Sequence, residues 1–298
     1  VVRQLIVNAD DFGLTAGVNR AIAETHVHGV VTSATLMASG AAFADAVERA
    51  RAAPKLSVGG HVVLVDGVPV SEPAAIDTLV AIRSAQPDKF YSRLSNVAAR
   101  AVFGGFDPDQ LVEEITAQIR KIQSAGIAVT HLDTHKHTHI FPDILGAVMR
   151  AARICGVPAI RNPFVPIKAM AAKGLRQKPK LWKRYGQVGV LRGFARHFHQ
   201  KMRRAGLRTP DGIVGVIETG SINASLLRQA LINLPDGTWE LVCHPGYDDA
   251  DLRAANTRLL ESREEERRLL VSAELRAFLE GQKIRLIGYR EFVEGSAQ

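Results

Sequence analysis

The residues with the most chemical capacity in this sequence stand at the ends of short apolar runs. Asn8-Ala9-Asp10-Asp11-Phe12-Gly13 sets two carboxylates directly after one such run. Neighbouring residues on an extended backbone point in different directions, so one carboxylate can face an ion while the other faces substrate or water. His61 lies in Val58-Gly59-Gly60-His61-Val62, where paired glycines mark a close approach of another group to the backbone. The run His131-Leu132-Asp133-Thr134-His135-Lys136-His137-Thr138-His139 is the densest signal. Alternation puts His131, Asp133 and His135 on one face while the chain is extended. Imidazole and carboxylate are donors that divalent ions accept. Asp133 suits either a ligand or the outer partner that takes a ligand histidine's second ring proton. Val242-Cys243-His244-Pro245-Gly246-Tyr247 ends another run, and Pro245 biases His244 towards an extended backbone. An imidazole there is a candidate general acid with a pKa expected near the working range, while Cys243 reads as a core filler.

The chemistry these groups allow is hydrolysis. An ion held by one Asp and two His keeps positions open for water and a substrate oxygen. The second Asp can take the water's proton, and His244 can deliver one to a leaving nitrogen. Residue types alone leave open which of Asp10 and Asp11, and which of His131 and His135, binds the ion.

Short apolar runs alternating with amphipathic stretches predict the elements that must hold these residues. Strands are expected over 4–8, 31–37, 56–64, 129–133, 158–161, 212–217, 239–243 and 284–287. Helices are expected over 15–26, 41–52, 108–125, 144–155, 221–231 and 264–280. The helix opening at Pro108 has Asp107 as cap and Gly126 as stop. About eight strands separated by helices fit a closed or nearly closed (β/α) barrel, and an open doubly wound sheet fits the count nearly as well. Polar residues at the C-terminal ends of several strands converge naturally in a barrel mouth, which favours the barrel. The segments 66–105 and 168–210 are too long for ordinary connections and are expected to form lids or an excursion beside that mouth. One domain spanning 1–298 is expected, with a basic, largely helical insertion at about 168–210.

That insertion carries the charge asymmetry. The chain has a formal charge of +8, no Asp or Glu between Asp143 and Asp211, and thirteen Lys and Arg within 168–208. Such a field attracts something anionic: a phosphorylated substrate, nucleic acid or a membrane surface. Trp182, Tyr185, Phe194 and Phe198 offer stacking faces to a nucleic acid, while Leu181, Trp182, Tyr185 and Leu191 fit equally the apolar face of a docked helix pair. A metal-dependent phosphoesterase is a further alternative, since the same ligands serve phosphoryl transfer. Cys155 and Cys243 form no disulfide framework, there is no apolar run near eighteen residues, and no basic-then-apolar start is visible. A reduced cytoplasmic protein, with peripheral attachment to the inner face of a membrane as an option, is the expectation.

Four blocks, LIVNADDFGLTAGVNRAI, GVVTSATLMASGAAFADAV, LSVGGHVVLVDGVPV and THLDTHKHTH, with the later VCHPGYDD, resemble the YdjC-like carbohydrate deacetylases. Within them the chain resembles the hopanoid-biosynthesis-associated branch (HpnK). The resemblance implies an irregular (β/α) barrel that removes acetyl groups from N-acetylated sugars with one divalent ion. Zinc or magnesium is favoured, and manganese or nickel is compatible. It implies Asp10 as catalytic base, Asp11, His61 and His135 as metal ligands, and His244 as general acid. It also implies an acetylglucosaminyl hopanoid-type glycolipid as substrate. One departure is visible: the family usually shows Gly-Leu-His at the first histidine block, and here Gly60 replaces the leucine, which is expected to alter packing beside the ion.

Overall fold

The computed structural model describes residues 3–81, 88–165, 195–216, 219–220, 223–255 and 257–295. Seven parallel strands form one curled sheet: β1 (Arg3–Phe12), β2 (Ser33–Leu36), β3 (Ser57–Val62), β4 (Leu132–Thr134), β5 (Gly212–Val214), β6 (Gly237–Cys243) and β7 (Ile284–Leu286). Their order is β4-β3-β2-β1-β6-β5, with β7 also paired to β1. Helices cover the strands, so β1 is buried on both faces from Leu5 onward and is apolar apart from Asn8 before its two aspartates. The long first strand serves three neighbours. Its whole length to Ala9 pairs with β6, its start pairs with β7, and its end pairs with β2.

Between β4 and β5 the barrel wall is irregular. The expected strand at 158–161 is present only as bridges, Leu132 to Ile160 and Ala159 to Arg208. The Arg161 N–H donates to the Leu132 carbonyl, and the Ile213 N–H donates to that of Phe164. Pro158 and Pro163 flank this strip and lack the N–H groups a regular ladder needs. The result is an incomplete, TIM-barrel-like wall whose strands still aim their C-terminal ends at one mouth.

Caps set the helices as expected at two places. Thr15 accepts the Val18 N–H to open the helix Ala16–Val27, and Asp107 accepts the Asp109 and Gln110 N–H groups to open Pro108–Ser124. The single helix expected over 264–280 is two helices, Glu261–Leu270 and Ala273–Gly281, because Ser272 caps the second by accepting the Leu275 N–H. The segment 66–105 is no free lid. It holds a helix, Leu94–Val102, and sinks Ile76, Leu79, Val80, Phe90 and Val97 into the core. The short helix Tyr289–Glu294, unannounced by any strong periodicity, places the fully buried Tyr289 ring flat against His131, with ring centroids 3.5 Å apart.

Of the basic segment, the helix Ala195–Arg204 is described. Phe198 and Met202 are buried, and the Phe198 ring packs edge-on to Phe164. Phe198 therefore offers no stacking face to a nucleic acid. Leu181, Trp182, Tyr185, Leu191 and Phe194 lie outside the described residues. Among the described residues no helix is long and apolar enough to cross a membrane.

Candidate metal centre

The strand ends bring the charged residues together. The sheet register slips between Ala9 and Phe12, and Asp11 adopts a left-handed backbone with φ of 64°. Aspartate tolerates that region better than most residues. The bulge turns the adjacent carboxylates of Asp10 and Asp11 to different partners.

Asp11, His61 and His135 converge. Asp11 Oδ1 lies 3.4 Å from His61 Nε2 and 3.3 Å from His135 Nδ1, and the two ring nitrogens are 3.2 Å apart. Ligands on one ion with bonds of about 2.0–2.2 Å at tetrahedral or octahedral angles stand about 3.0–3.4 Å from one another, so this donor triangle fits a divalent cation. The outer contacts fit as well. Asp133 Oδ1 pairs with His61 Nδ1 at 2.7 Å, which leaves Nε2 as the free face of the ring. Arg263 Nη2 donates to Asp11 Oδ2 at 2.5 Å, so Oδ1 is the oxygen turned to the histidines.

The field at this point attracts cations. Burial alone pulls His61 down, but Asp133 foremost, with Asp11 and Asp10, pushes it up to about 10. Burial would raise Asp11, yet Arg263 and the two histidines hold it well below the usual carboxylate range.

Asp10 lies outside the triangle. Burial would raise its pKa, and the Arg161 guanidinium overrides this and holds the carboxyl far below its ordinary value. Arg161 donates to both of its oxygens, at 2.7 and 2.8 Å, and Asn8 Nδ2 adds a bond of 2.9 Å. Arg161 is itself fully buried and also pairs with Asp133 and with Glu240, whose second oxygen accepts from the Tyr289 hydroxyl at 2.6 Å. His244 Nε2 stands 3.9 Å from Asp10 Oδ2. Its pKa departs from the sequence expectation, because burial lowers it to about 4 against the opposing pull of Asp10 and Asp11.

The remaining histidines of the run are elsewhere. Strand β4 ends at Thr134, and the chain then enters a tight turn with Lys136 and His137 both left-handed. Alternation therefore stops before His135, and His131 is not in the cluster. His131 is buried, bonded through Nε2 to Asn8 Oδ1 and through Nδ1 to Thr130. Its ring also explains Gly59, where a Cβ would sit 2.5–2.7 Å from three of its atoms. At Gly60 a Cβ would meet Leu132 Cδ2 at 3.0 Å, so Leu132 occupies the space a leucine at 60 would need. Cys243 is buried with Sγ bonded to the Asn8 carbonyl, and burial raises its thiol well above the ordinary value, as suits a core filler.

Arg161, Arg263, Glu240 and Tyr289 were not singled out by sequence. Arg161 had a usable signal, since it closes the expected strand at 158–161 as the polar residues of the site stand in or just after theirs. Arg263 and Tyr289 had none, being spread over helices far along the chain.

An irregular (β/α) barrel with a buried carboxylate–histidine–histidine triangle at its mouth defines a class of barrel enzyme suited to a divalent ion. The model of the YdjC-like protein family matches residues 4–281, and the chain belongs to that family. It is 33% identical to a carbohydrate deacetylase of Brevibacillus brevis over 97% of this chain and 99% of that one. It is 27% identical to a carbohydrate deacetylase of Thermoanaerobacter pseudethanolicus over 97% and 98%. A crystal structure from Enterococcus faecalis V583, of a protein named for cellobiose-phosphate cleavage, has the same fold with a TM-score of 0.77, 24% identity, and coverage of 98% and 100%.

Proposed function

We propose that this protein hydrolyses the N-acetyl group of an N-acetylated amino sugar, with Asp11, His61 and His135 holding one divalent ion. The observation that carries the reading is the donor triangle standing beside a separate carboxylate and imidazole, Asp10 and His244. The carbohydrate deacetylases among its relatives support the choice of an acetyl group.

When bound, the ion would acidify an attacking water and polarise the acetyl carbonyl. Asp10 accepts the water's proton. The bidentate grip of Arg161 fixes where its Oδ2 edge points. His244, on the same side as that edge, delivers a proton to the departing amine nitrogen. Asp133 keeps the His61 ring turned so that Nε2 faces inward.

Replacing Asp11, His61 or His135 by Ala is expected to lower metal content, read by elemental analysis, together with acetate release. Full metal stoichiometry in all three variants would contradict the assignment. Asp10→Asn is expected to keep the metal and lose turnover.

For the substrate, an acetylglucosaminyl hopanoid-type glycolipid fits the resemblance and the basic, acid-free segment. Exposed Arg196, Arg203 and Arg204 on the helix Ala195–Arg204 support contact with an anionic surface. Each basic side chain near such a surface adds about 1 kcal/mol. Co-sedimentation with anionic but not neutral vesicles, weakening with salt, is the expected result, and tighter binding to nucleic acid would contradict it.

A further inference from the structure

Asp11 is held at both its side chain and its backbone. Arg263 fixes Oδ2 of the carboxylate, while the chain beneath it is left-handed, with φ of 64° at Asp11 and 96° at Gly13. A residue other than glycine in that region is strained, and persists only where its surroundings over-determine it. The turn from Asp11 to Leu14 has such restraints. The Leu14 N–H donates to the Asp11 carbonyl at 3.0 Å, the Met37 N–H to that of Phe12 at 2.8 Å, and the Ala42 N–H to that of Gly13 at 2.9 Å. One further restraint comes from a side chain: the buried Gly13 N–H donates to Asn19 Oδ1 at 2.6 Å.

Asn19 stands one turn into the helix Ala16–Val27, with its N–H on the Thr15 carbonyl, and is fully buried. Its Nδ2 donates to the Ala42 carbonyl at 3.0 Å and to Asp45 Oδ2 at 2.8 Å, and Asp45 is paired in turn with Arg49 at 2.9 Å. The Gly13 N–H can only donate, and the carbonyl and carboxylate beside Nδ2 can only accept, so the amide has one orientation. Ala42 caps the helix Phe43–Ala52, which also carries Asp45. One amide therefore ties the turn after β1 to two helices. The loop leading to Ala42 leaves no slack on its side, since a Cβ at Gly40 would overlap the Gly13 carbonyl oxygen. Leucine at 19 would have the size but none of these bonds. Aspartate would keep an oxygen for Gly13 and set a second carboxylate against Asp45.

We propose that Asn19 is a positioning residue for Asp11: its amide holds the Gly13 N–H, and with it the left-handed turn that aims Asp11 Oδ1 at His61 and His135. This rests on the reading of Asp11 as a metal ligand. It gives Asn19 a share in metal affinity without contact to ion or substrate. Removing the amide oxygen leaves a buried N–H unpaired, and the turn then gains by relaxing away from the strained conformation at Asp11. Oδ1 in consequence leaves the spacing of 3.3–3.4 Å to the two imidazole nitrogens on which one ion depends.

Asn19→Leu is the test, with Co²⁺ affinity measured by competition with a chromophoric chelator well below the unfolding temperature. Affinity is expected to fall by roughly 10–100-fold, the range for partners that orient a ligand from outside. Leu279→Ala is the control. It opens a cavity in the helix Ala273–Gly281, which packs on β7 beside the start of β1 rather than its end, and should lower Tm with metal affinity unchanged. Asn19→Asp combined with Asp45→Asn restores an oxygen for the Gly13 N–H and a 19–45 hydrogen bond of reversed polarity. The pair should bind Co²⁺ more tightly than Asn19→Asp alone, a comparison that holds even if Asn19→Leu does not fold. Wild-type affinity in Asn19→Leu, an equal fall in Leu279→Ala, or no recovery in the paired variant would overturn the proposal. Asp11→Ala separates the two levels. If it binds Co²⁺ as the wild type does, the ligand reading fails, and amide exchange still judges the hold on the turn. The Gly13 N–H should exchange slowly in the wild type and faster in Asn19→Leu, and equal rates would overturn the hold.

Discussion

Two arginines, over a hundred residues apart in sequence, each claim one of two adjacent aspartates. Arg161 takes both oxygens of Asp10, and Arg263 takes one oxygen of Asp11 and leaves the other to His61 and His135. In the proposed reading, this pairing is what separates the carboxylate that takes a proton from the one that holds the ion. Arg161 also neutralises Asp133 and Glu240, so its removal would strand three buried acids. Arg161→Met is expected to cost about 3–5 kcal/mol in denaturant unfolding, the range for breaking a buried pair by removing one partner. A loss under about 1 kcal/mol would show that the network does not depend on its one central cation. The acids and imidazoles of this site were legible in sequence because Asp and His after apolar runs are uncommon enough to notice. Their arginine partners were not, because a lone Arg at a strand end or on a helix looks like any solvated side chain until its burial is known.

At the scale of elements, strand positions carried most of the information. The strands whose ends hold Asp10, His61, Asp133 and His244 all stand where apolar runs put them. What sequence did not convey is how β4 stops. Two left-handed residues, Lys136 and His137, take the chain out of alternation, so His135 joins Asp11 and His61 while His131 turns towards Tyr289. Left-handed Lys and His leave no mark in composition, unlike glycine. Close contact, by contrast, was readable in the paired glycines of β3. Gly59→Ala would drive a methyl into the His131 ring, which is backed by Tyr289 and cannot retreat. It is expected to destabilise by about 1–3 kcal/mol, read as a lowered Tm. Gly146→Ala in the helix Pro142–Ile154, where a Cβ meets nothing within 4 Å, should instead stabilise by up to about 1 kcal/mol. Equal responses at the two glycines would refute the close-contact explanation.

The whole molecule joins a barrel mouth built on a cation-attracting centre to a sequence segment, 168–208, that is strongly basic. Repeating β-α order left barrel and open sheet nearly level, and the polar residues at several strand ends made the barrel legible. Its irregular wall was not, since the Pro158–Phe164 strip scans as an ordinary strand and only the hydrogen bonds show it to be a set of bridges. Arg161 enters the core from that bridged strip. The most direct test of the account is quantitative release of acetate and free amine from an N-acetylglucosamine oligosaccharide, comparing metal-loaded and chelator-treated protein. The account predicts acetate and amine in equal amounts from the loaded protein, glycosidic bonds intact, and neither product after chelation or in His61→Ala. Acetate release that persists in fully chelated protein, or cleavage of the sugar chain with every acetyl group retained, would contradict it.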